Sequence, residues 1–339
     1  VARIDGHAMI RLAFDARETS HMSAGVLNYS RKLREWLPRV APDVDLVAVG
    51  CGDNFDLAEQ IGLPLAIARS HAKVAHFPTL FVPRFVPCRY VVTVHDLIDL
   101  HYPQFVKRRV APYVRALVAP VVRGARAVIT DDDATVDDLE RFLGADARRV
   151  RVIPLGYDEP PAAAVPAQHP RPYVLYVGNR RPHKNLATLI AAWSGLPAGR
   201  AVDLVLSGPP DAALQAARGP GEIVFLGERT DEELRRWYAG AAAYAHPALR
   251  EGFGLPLLEA MRNGARVVAS KAAMPRVLAA HAVIVDAADV TAWRDALARQ
   301  LDDPAGARAA ADAARAATRE LTWERTARLT ADVYREIAG

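Results

Sequence analysis

Three groups of residues have the types and spacing to do chemistry. The first is the stretch from His246 to Ser270, where Glu251 and Glu259 stand eight residues apart around Gly252, Phe253, Gly254, Leu255 and Pro256. Glycine lets backbone come close to a ligand because it carries no Cβ. Pro256 suits the first turn of a helix, where a missing N–H costs nothing. Such a helix begins with unpaired N–H groups facing the turn, which is a place for an anion. Both carboxylates could then face whatever is held there. An ordinary glycine-rich corner with two solvated acids fits the same residues equally well.

The second group is Asn179, Arg180, Arg181, Pro182, His183, Lys184 and Asn185, a basic loop running from a strand into a helix. That arrangement suits a phosphate, with Lys184 and the arginines supplying charge and Asn185 a cap. A plain basic surface loop is the alternative. The third is His95, just past an apolar strand, because ligands collect at the carboxyl ends of strands in open α/β sheets. Asp131, Asp132 and Asp133 suggest a metal site, but acids opening a helix are read here as caps that complement its dipole.

These groups need strands and helices to place them. Ile10–Phe14, Asp45–Gly50, Val74–Phe77, Tyr90–His95, Ala127–Thr130 and Val150–Pro154 are short apolar runs of the kind buried on both faces of a parallel sheet. A polar loop from Glu18 to Gly25 precedes a helix from Val26 to Leu37, ended by Pro38 and Pro42. Gln104–Arg126 reads as a long helical region broken or kinked at Pro112 and Pro120, with a helix Ala134–Leu143 after it. Glu159–Pro172 is rich in Pro and Ala and reads as a linker. A second series follows, with strands at Tyr173–Val177, Val202–Ser207, Ile223–Leu226, Ala243–His246, Arg266–Ser270 and Ala282–Val285. Thr230 caps a helix over Asp231–Ala239, and Thr322-Trp323 opens a final one over Glu324–Ile337. The alternation predicts an α/β protein with two doubly wound parallel sheets and a cleft between them. Residues 9–160 form the first domain, 161–172 the linker, 173–321 the second domain and 322–339 a C-terminal helix.

The totals describe an ordinary globular chain: 339 residues, 51% hydrophobic and 24% charged, with a net charge of +4. That charge suits an anionic substrate or membrane surface and is too small to imply nucleic acid. Cys51 and Cys88 lack metal-ligand spacing, and two cysteines in so long a chain fit a reducing cytoplasm. No apolar run reaches the length of a membrane span. Val1–Met9 lacks the core of a signal peptide, and Gly6, His7 and Ala8 read as a cloning remnant, outside the fold, before a native Met9. Between His101 and Thr130 there is no acid, whereas Lys107, Arg108, Arg109, Arg115, Arg123 and Arg126 are basic. This is either a solvated face or a basic amphipathic surface resting on anionic head groups, to which Arg31, Lys32, Arg34 and Arg39 could add. No dinucleotide fingerprint, Walker loop, zinc spacing or G-x-S-x-G element is present.

Taken together, the motifs resemble those of the retaining glycosyltransferases of family four, which have the GT-B fold of two Rossmann-like domains facing across a cleft. The resemblance covers nearly the whole chain. Its most specific part is the pair Glu251 and Glu259 around Gly-Phe-Gly-Leu-Pro; Tyr173–Gly178, Pro182–Asn185, Val94–Leu97 and Val152–Gly156 match as well. The final helix is similar to one that crosses back to the first domain in that fold.

The resemblance implies roles. Glu259 would bind the ribose of a nucleotide-sugar, and Glu251 the hydroxyls of its sugar. Amides of Phe253, Gly254 and Leu255, beside Gly252, would hold the sugar or diphosphate. Lys184 would neutralise the leaving diphosphate, His95 would sit near the anomeric centre, and Gly25 would lie under the diphosphate and acceptor. Asn179 stands where many relatives have Arg, so Arg180 or Arg181 would replace it. No metal or other cofactor is implied. The expected activity is cytoplasmic, at the inner face of the plasma membrane: transfer of a sugar to a lipid-linked or lipopolysaccharide glycan. GDP-mannose is the preferred donor, with dTDP-rhamnose or a UDP-sugar as alternatives. A nucleotide-sugar epimerase and a non-catalytic sugar-nucleotide binding subunit share the architecture.

Overall fold

The computed structural model describes residues 3–4, 7–19, 22–53, 56–108, 110–159 and 164–339. Gly6, Ser20, His21, Arg109 and linker residues 161–163, all of which entered the sequence reading, lie outside them. The chain divides into two compact units, 1–156 with 321–339, and 157–320.

The first unit is built on a parallel sheet of β1 (Ile10–Asp15), β2 (Val44–Val49), β3 (Val74–Phe77), β4 (Arg89–Thr93), β5 (Ala127–Thr130) and β6 (Val150–Val152), in the order β2-β1-β3-β4-β5-β6. Every residue of β3 and β5 is buried, which explains their unbroken apolar character. Residues 3–4 and 7–8 add a short antiparallel pairing.

Three elements differ from the sequence reading. Helix α1 (Ala24–Val40) starts earlier and runs through Pro38. Ser23 caps it by accepting from Val26 N–H, so Gly25 is exposed in its first turn and not in a loop. Pro38 removes one helical N–H, and the helix ends two residues later at Val40. Helix α2 (Leu57–Arg69), capped by Asp56, was not expected, since Gly62 and Pro64 interrupt its pattern and it is apolar on two sides. The basic run Gln104–Arg126 is not one helix: a 3₁₀ turn at Pro103–Phe105 and helical pieces at Val110–Tyr113 and Ala119–Gly124 flank a π-helical turn at Val114–Val118.

The second unit carries β7 (Tyr173–Tyr176), β8 (Asp203–Leu206), β9 (Ile223–Phe225), β10 (Ala243–His246), β11 (Val267–Ser270) and β12 (Val283–Val285), ordered β9-β8-β7-β10-β11-β12. Helices α3 (Leu186–Ser194), α4 (Asp231–Gly240), α5 (Leu255–Arg262), α6 (Val290–Asp302) and α7 (Pro304–Ala317) belong to it. Its core sets Trp193 and Trp293 against the apolar side chains of the central strands. The order reverses between β7 and β10, and in such sheets the crevice at that reversal receives the ligand. The described part of the Pro-rich stretch packs on this unit: Ala167 N–H donates to the Arg236 carbonyl, and His169 and Arg171 pair with Asp203.

The last helix, α8 (Trp323–Ala338), lies along α1 in the first unit. Tyr334 reaches His76 Nδ1 at 2.6 Å, and Thr326 donates to the Pro154 carbonyl at 2.9 Å. Gly156 lets the chain pass under it; a Cβ there would come 2.1 Å from the Trp323 nitrogen. Cys51 and Cys88 are free thiols. No helix among the described residues is long and apolar enough to cross a membrane.

Candidate active site

The loops after β7 and β10, on either side of the reversal, carry a connected cluster of polar side chains. The chain leaves β7 through Gly178 and makes a single 3₁₀ turn, Pro182–Lys184, before α3. It leaves β10 at His246 and turns through Gly254 into α5. The loops are bolted together. Leu249 N–H donates to the His183 carbonyl at 2.7 Å. Asn185 Nδ2 donates to the carbonyls of Pro247 and Ala287, at 3.1 and 2.8 Å. Asn185 is therefore a strut and makes no side-chain cap, contrary to the sequence reading.

This frame brings Lys184 and Glu251 into an ion pair, with both side chains nearly buried. The same Glu251 oxygen accepts from His246 Nε2 at 2.8 Å, and His246 Nδ1 meets the Tyr244 hydroxyl at 2.9 Å. The Glu251 Oε2 has no partner among the described residues. Burial alone would raise the Glu251 carboxyl; the His246 hydrogen bond and the His246 and Lys184 charges outweigh it and hold it at about 2.

Glu259, one turn into α5, has a different environment. It accepts from the Tyr238 hydroxyl at 3.1 Å, and burial pushes its carboxyl up to about 7, with Asp231 pushing the same way against Tyr238 and Arg235. Between the two glutamates, Phe253 is buried and Gly254 takes φ +68°, where a Cβ would come 2.8 Å from Leu257 Cδ1. Pro256 occupies the first turn of α5 and carries no N–H, and Leu257 N–H donates to the Gly254 carbonyl at 2.8 Å, so the Leu255 amide is the one this end of the helix presents to the glycine turn.

The basic loop sorts its arginines. Arg180 donates to the carbonyls of Ser207 and Pro209, at 3.2 and 2.5 Å, and lies over the Phe225 ring at 4.8 Å. It is thus spent on holding the sheet edge. Arg181 is exposed and its guanidinium has no partner among the described residues. Asn179 is exposed and accepts from Arg181 N–H at 3.1 Å.

In the first unit, His95 follows β4 and Asp131 follows the adjacent β5. Their side chains meet at 2.6 Å, Nδ1 to Oδ2. Asp131 is therefore not a helix cap, as the sequence reading had it; Asp132 alone of the two caps, accepting from Ala134 N–H at 3.2 Å. Burial lowers the basicity of the His95 ring, but the charge and hydrogen bond of Asp131 outweigh it, with Asp96 and the Pro78 carbonyl helping, so the ring is raised. The His95 Nε2 is buried without a hydrogen-bond partner. Tyr29 packs edge-on against the ring, and a chain of hydrogen bonds runs on through Thr93 to His76, which burial lowers to about 3 and keeps neutral.

Two family profiles match in tandem: Glycosyltransferase Family 4 over residues 39–160 and Glycosyl transferases group 1 over residues 162–318. The chain belongs to glycosyltransferase family 4. This family-four enzyme is 28% identical to the O-antigen chain mannosyltransferase B of Escherichia coli, over 77% of its own length and 74% of that protein's. It is 28% identical to the serotype-specific mannosyltransferase WbdA of Escherichia coli over 74% of its length, but spans only 34% of that relative. Among solved structures, sucrose-phosphate synthase from Thermosynechococcus elongatus matches with a TM-score of 0.75 over 97% of this chain and 99% of that one, at 20% identity. That likeness is one of fold, and with the two six-stranded parallel sheets it places the chain in the GT-B class.

Of the residues singled out in the sequence, the second unit brings Lys184, Glu251, Gly252, Phe253, Gly254 and Leu255 around one turn, with Glu259 deeper in α5. It diverts Arg180 elsewhere. His246, Tyr244 and Tyr238 were not given roles and Asp131 was read as a cap; Tyr238 and Asp131 are defined by partners on other elements, Glu259 and His95. The one available sign was that His246 opens the glutamate stretch.

Proposed function

We propose that this glycosyltransferase is a retaining, metal-independent enzyme that moves mannose from GDP-mannose to a lipid-linked or lipopolysaccharide glycan at the inner face of the plasma membrane. The observation that carries the reading is the meeting of Lys184 and Glu251 at the strand-order reversal, beside the glycine turn that opens α5. Glu259 would accept the ribose hydroxyls, and the uncommitted Glu251 Oε2 a hydroxyl of the sugar. Phe253, Gly254 and Leu255 N–H groups, Lys184 and Arg181 would hold the diphosphate. As the anomeric bond breaks, negative charge grows on that diphosphate, and fixed cations and amides stabilise the change without moving. The leaving phosphate would help take the acceptor proton on the same face, which retains configuration. His95 is the catalytic candidate of the first unit. Mannose is favoured because the two curated relatives above are mannosyltransferases by name.

The test is acceptor-dependent release of GDP from GDP-mannose in the presence of a lipid-linked glycan fraction, with UDP-glucose and dTDP-rhamnose in parallel. Mannosyl transfer with retained configuration supports the reading. Transfer from one of the other donors alone removes the mannose assignment. Rapid sugar release and isomerisation without acceptor would mean an epimerase.

A further inference from the structure

Four polar side chains of the first unit form one closed chain of hydrogen bonds that no step proposed above uses. The Tyr334 hydroxyl, on α8, meets His76 Nδ1 at 2.6 Å, His76 Nε2 meets Thr93 Oγ1 at 2.8 Å, and Thr93 Oγ1 meets the Tyr29 hydroxyl at 3.0 Å. His76, Thr93 and Tyr334 are 0% exposed and Tyr29 is 1% exposed. Neither terminal hydroxyl has another partner among the described residues. Burial raises both phenols, so neither end gives up its proton. The chain is thus a strut and not a route for protons. Its setting is aromatic: His76 stands edge-on to Phe14 at 5.2 Å and to Tyr334 at 5.6 Å between ring centroids, and Trp323, the first residue of α8, tilts against Tyr29 at 6.4 Å. An apolar side chain would fill the place of His76 without desolvating an imidazole. The hydrogen bonds must therefore hold something that packing alone would not.

What they hold is the Tyr29 ring. Tyr29 comes from α1, and its hydroxyl is gripped by Thr93, the last residue of β4. His95 leaves the same strand two residues later, and its ring stands edge-on to Tyr29, 4.7 Å between centroids at 83°. Asp131 holds that imidazole through Nδ1 at 2.6 Å. A hydrogen bond and a packed ring together fix the imidazole, and Nε2 is the atom left uncommitted. Without the Tyr334 hydroxyl, His76 Nδ1 would be unpaired in a dry site, which is expensive. The His76 ring would turn to find another partner, release Thr93 and so loosen Tyr29. The titratable groups that reach His95 among the described residues are Asp131, Asp96, His76 and Tyr29, so half of them belong to the strut.

We propose that Tyr334, His76, Thr93 and Tyr29 are positioning residues for His95, so that the returning C-terminal helix holds the catalytic candidate of the first unit in place as well as bracing its sheet. This rests on the reading of His95 as that candidate. The four residues act through one ring on one imidazole, so their effect on turnover disappears when His95 is absent.

A double-mutant cycle tests it. Tyr334→Phe and Thr93→Val each remove one hydroxyl and keep the shape. Each lowers kcat by about fivefold at an unchanged KM for the donor, less than His95→Ala does, because the imidazole remains but is less well placed. Thr93→Ser keeps the hydroxyl and recovers most of that loss. In the His95→Ala background, Tyr334→Phe and Thr93→Val cost less than about twofold more. Melting temperatures fall alike in both backgrounds, since a buried hydrogen bond is lost in each, and stability therefore does not account for the pattern. The full loss in the His95→Ala background, or wild-type kcat in both hydroxyl variants, overturns the proposal. A second readout needs no turnover: the His95 imidazole followed by NMR in histidine-labelled protein and assigned by its absence in His95→Ala. Burial is what lowers this ring, so a loosened Tyr29 admits water and the His95 titration midpoint rises in Tyr334→Phe. An unmoved midpoint overturns the proposal. If wild type transfers no sugar to any acceptor, the transferase reading fails, and the NMR titration decides by itself whether the strut holds the ring. If His95→Ala turns over like wild type, His95 loses its role and the proposal falls with it, while transfer itself stands.

Discussion

The two units use the same kind of sheet and finish it in opposite ways. At the carboxyl ends of its strands, the second unit gathers charge, with Lys184 and Glu251 in an ion pair and His246 hydrogen-bonded to the same carboxylate. The first unit puts a histidine–aspartate pair there, backed by neutral Tyr29, Thr93 and His76, and leaves an apolar face beside α2. Strands and helices are interchangeable between the two; the loops are not. On the proposed reading the charged end grips the diphosphate and the other end meets the acceptor. The same sheet therefore says little about ligand, and the identity of the loop side chains says most.

The sharpest way to break this contrast is Lys184→Ala. It should lower turnover by about 100-fold or more while the melting temperature holds, because the lysine is asked to stabilise charge that exists mainly in the transition state. Steady-state kinetics with wild-type turnover in this variant would remove the second unit's claim to the diphosphate. Next comes the other end. His95→Ala should cost about tenfold or more if the imidazole moves a proton or steadies the reacting sugar. Asp131→Asn should shift the acid limb of the pH–rate profile downward, since it removes the charge that raises His95. An unchanged profile and rate in both would make the pair structural and the contrast one of packing only.

A smaller effect separates holding from turning over. In the free enzyme Lys184 is already neutralised by Glu251, so a diphosphate competes with that carboxylate. Glu251→Gln should slow transfer but tighten GDP binding by about tenfold by calorimetry, which is 1.4 kcal/mol. Weaker binding would show that Glu251 positions the lysine and does not restrain it.

The last prediction concerns the split between the glutamates. Glu259, raised to about 7 in the folded chain, holds its proton between pH 4.5 and 7, where the unfolded chain has lost it. Stability from this group therefore falls as pH rises through that window. Melts of Glu259→Gln should lie above wild type at about pH 8 and beside it at about pH 5. Glu251 behaves oppositely: held at about 2, it contributes stability above the ordinary carboxylate range that is lost as pH falls toward that value.

The series of strands could be read from short apolar runs, and the turn through Gly254 into α5 from residue types alone, because both depend on neighbours a few positions away. Thr230 caps its helix as its place in the sequence predicts, and Glu233 completes a capping box with it. The reading failed where a local signal had two meanings. Helix α2 is apolar inside and out, so it shows no clear period. Asp131 sits among acids that cap, yet only its neighbour does. Arg180 and Arg181 are alike in sequence, and the Ser207 and Pro209 carbonyls decide which one is spent.

The sequence by itself determined two doubly wound sheets, the glycine turn with its proline-started helix and the family these motifs belong to. Those follow from chain propensity and local sterics. Only the tertiary structure decided which charges cancel and which stay free. Lys184 meets Glu251 across 67 positions, His95 meets Asp131 across 36 and His76 meets Tyr334 across 258. Hydrogen bonds and ion pairs act over a few ångströms of space, and a separation along the chain carries no information about that distance until the strands have been ordered.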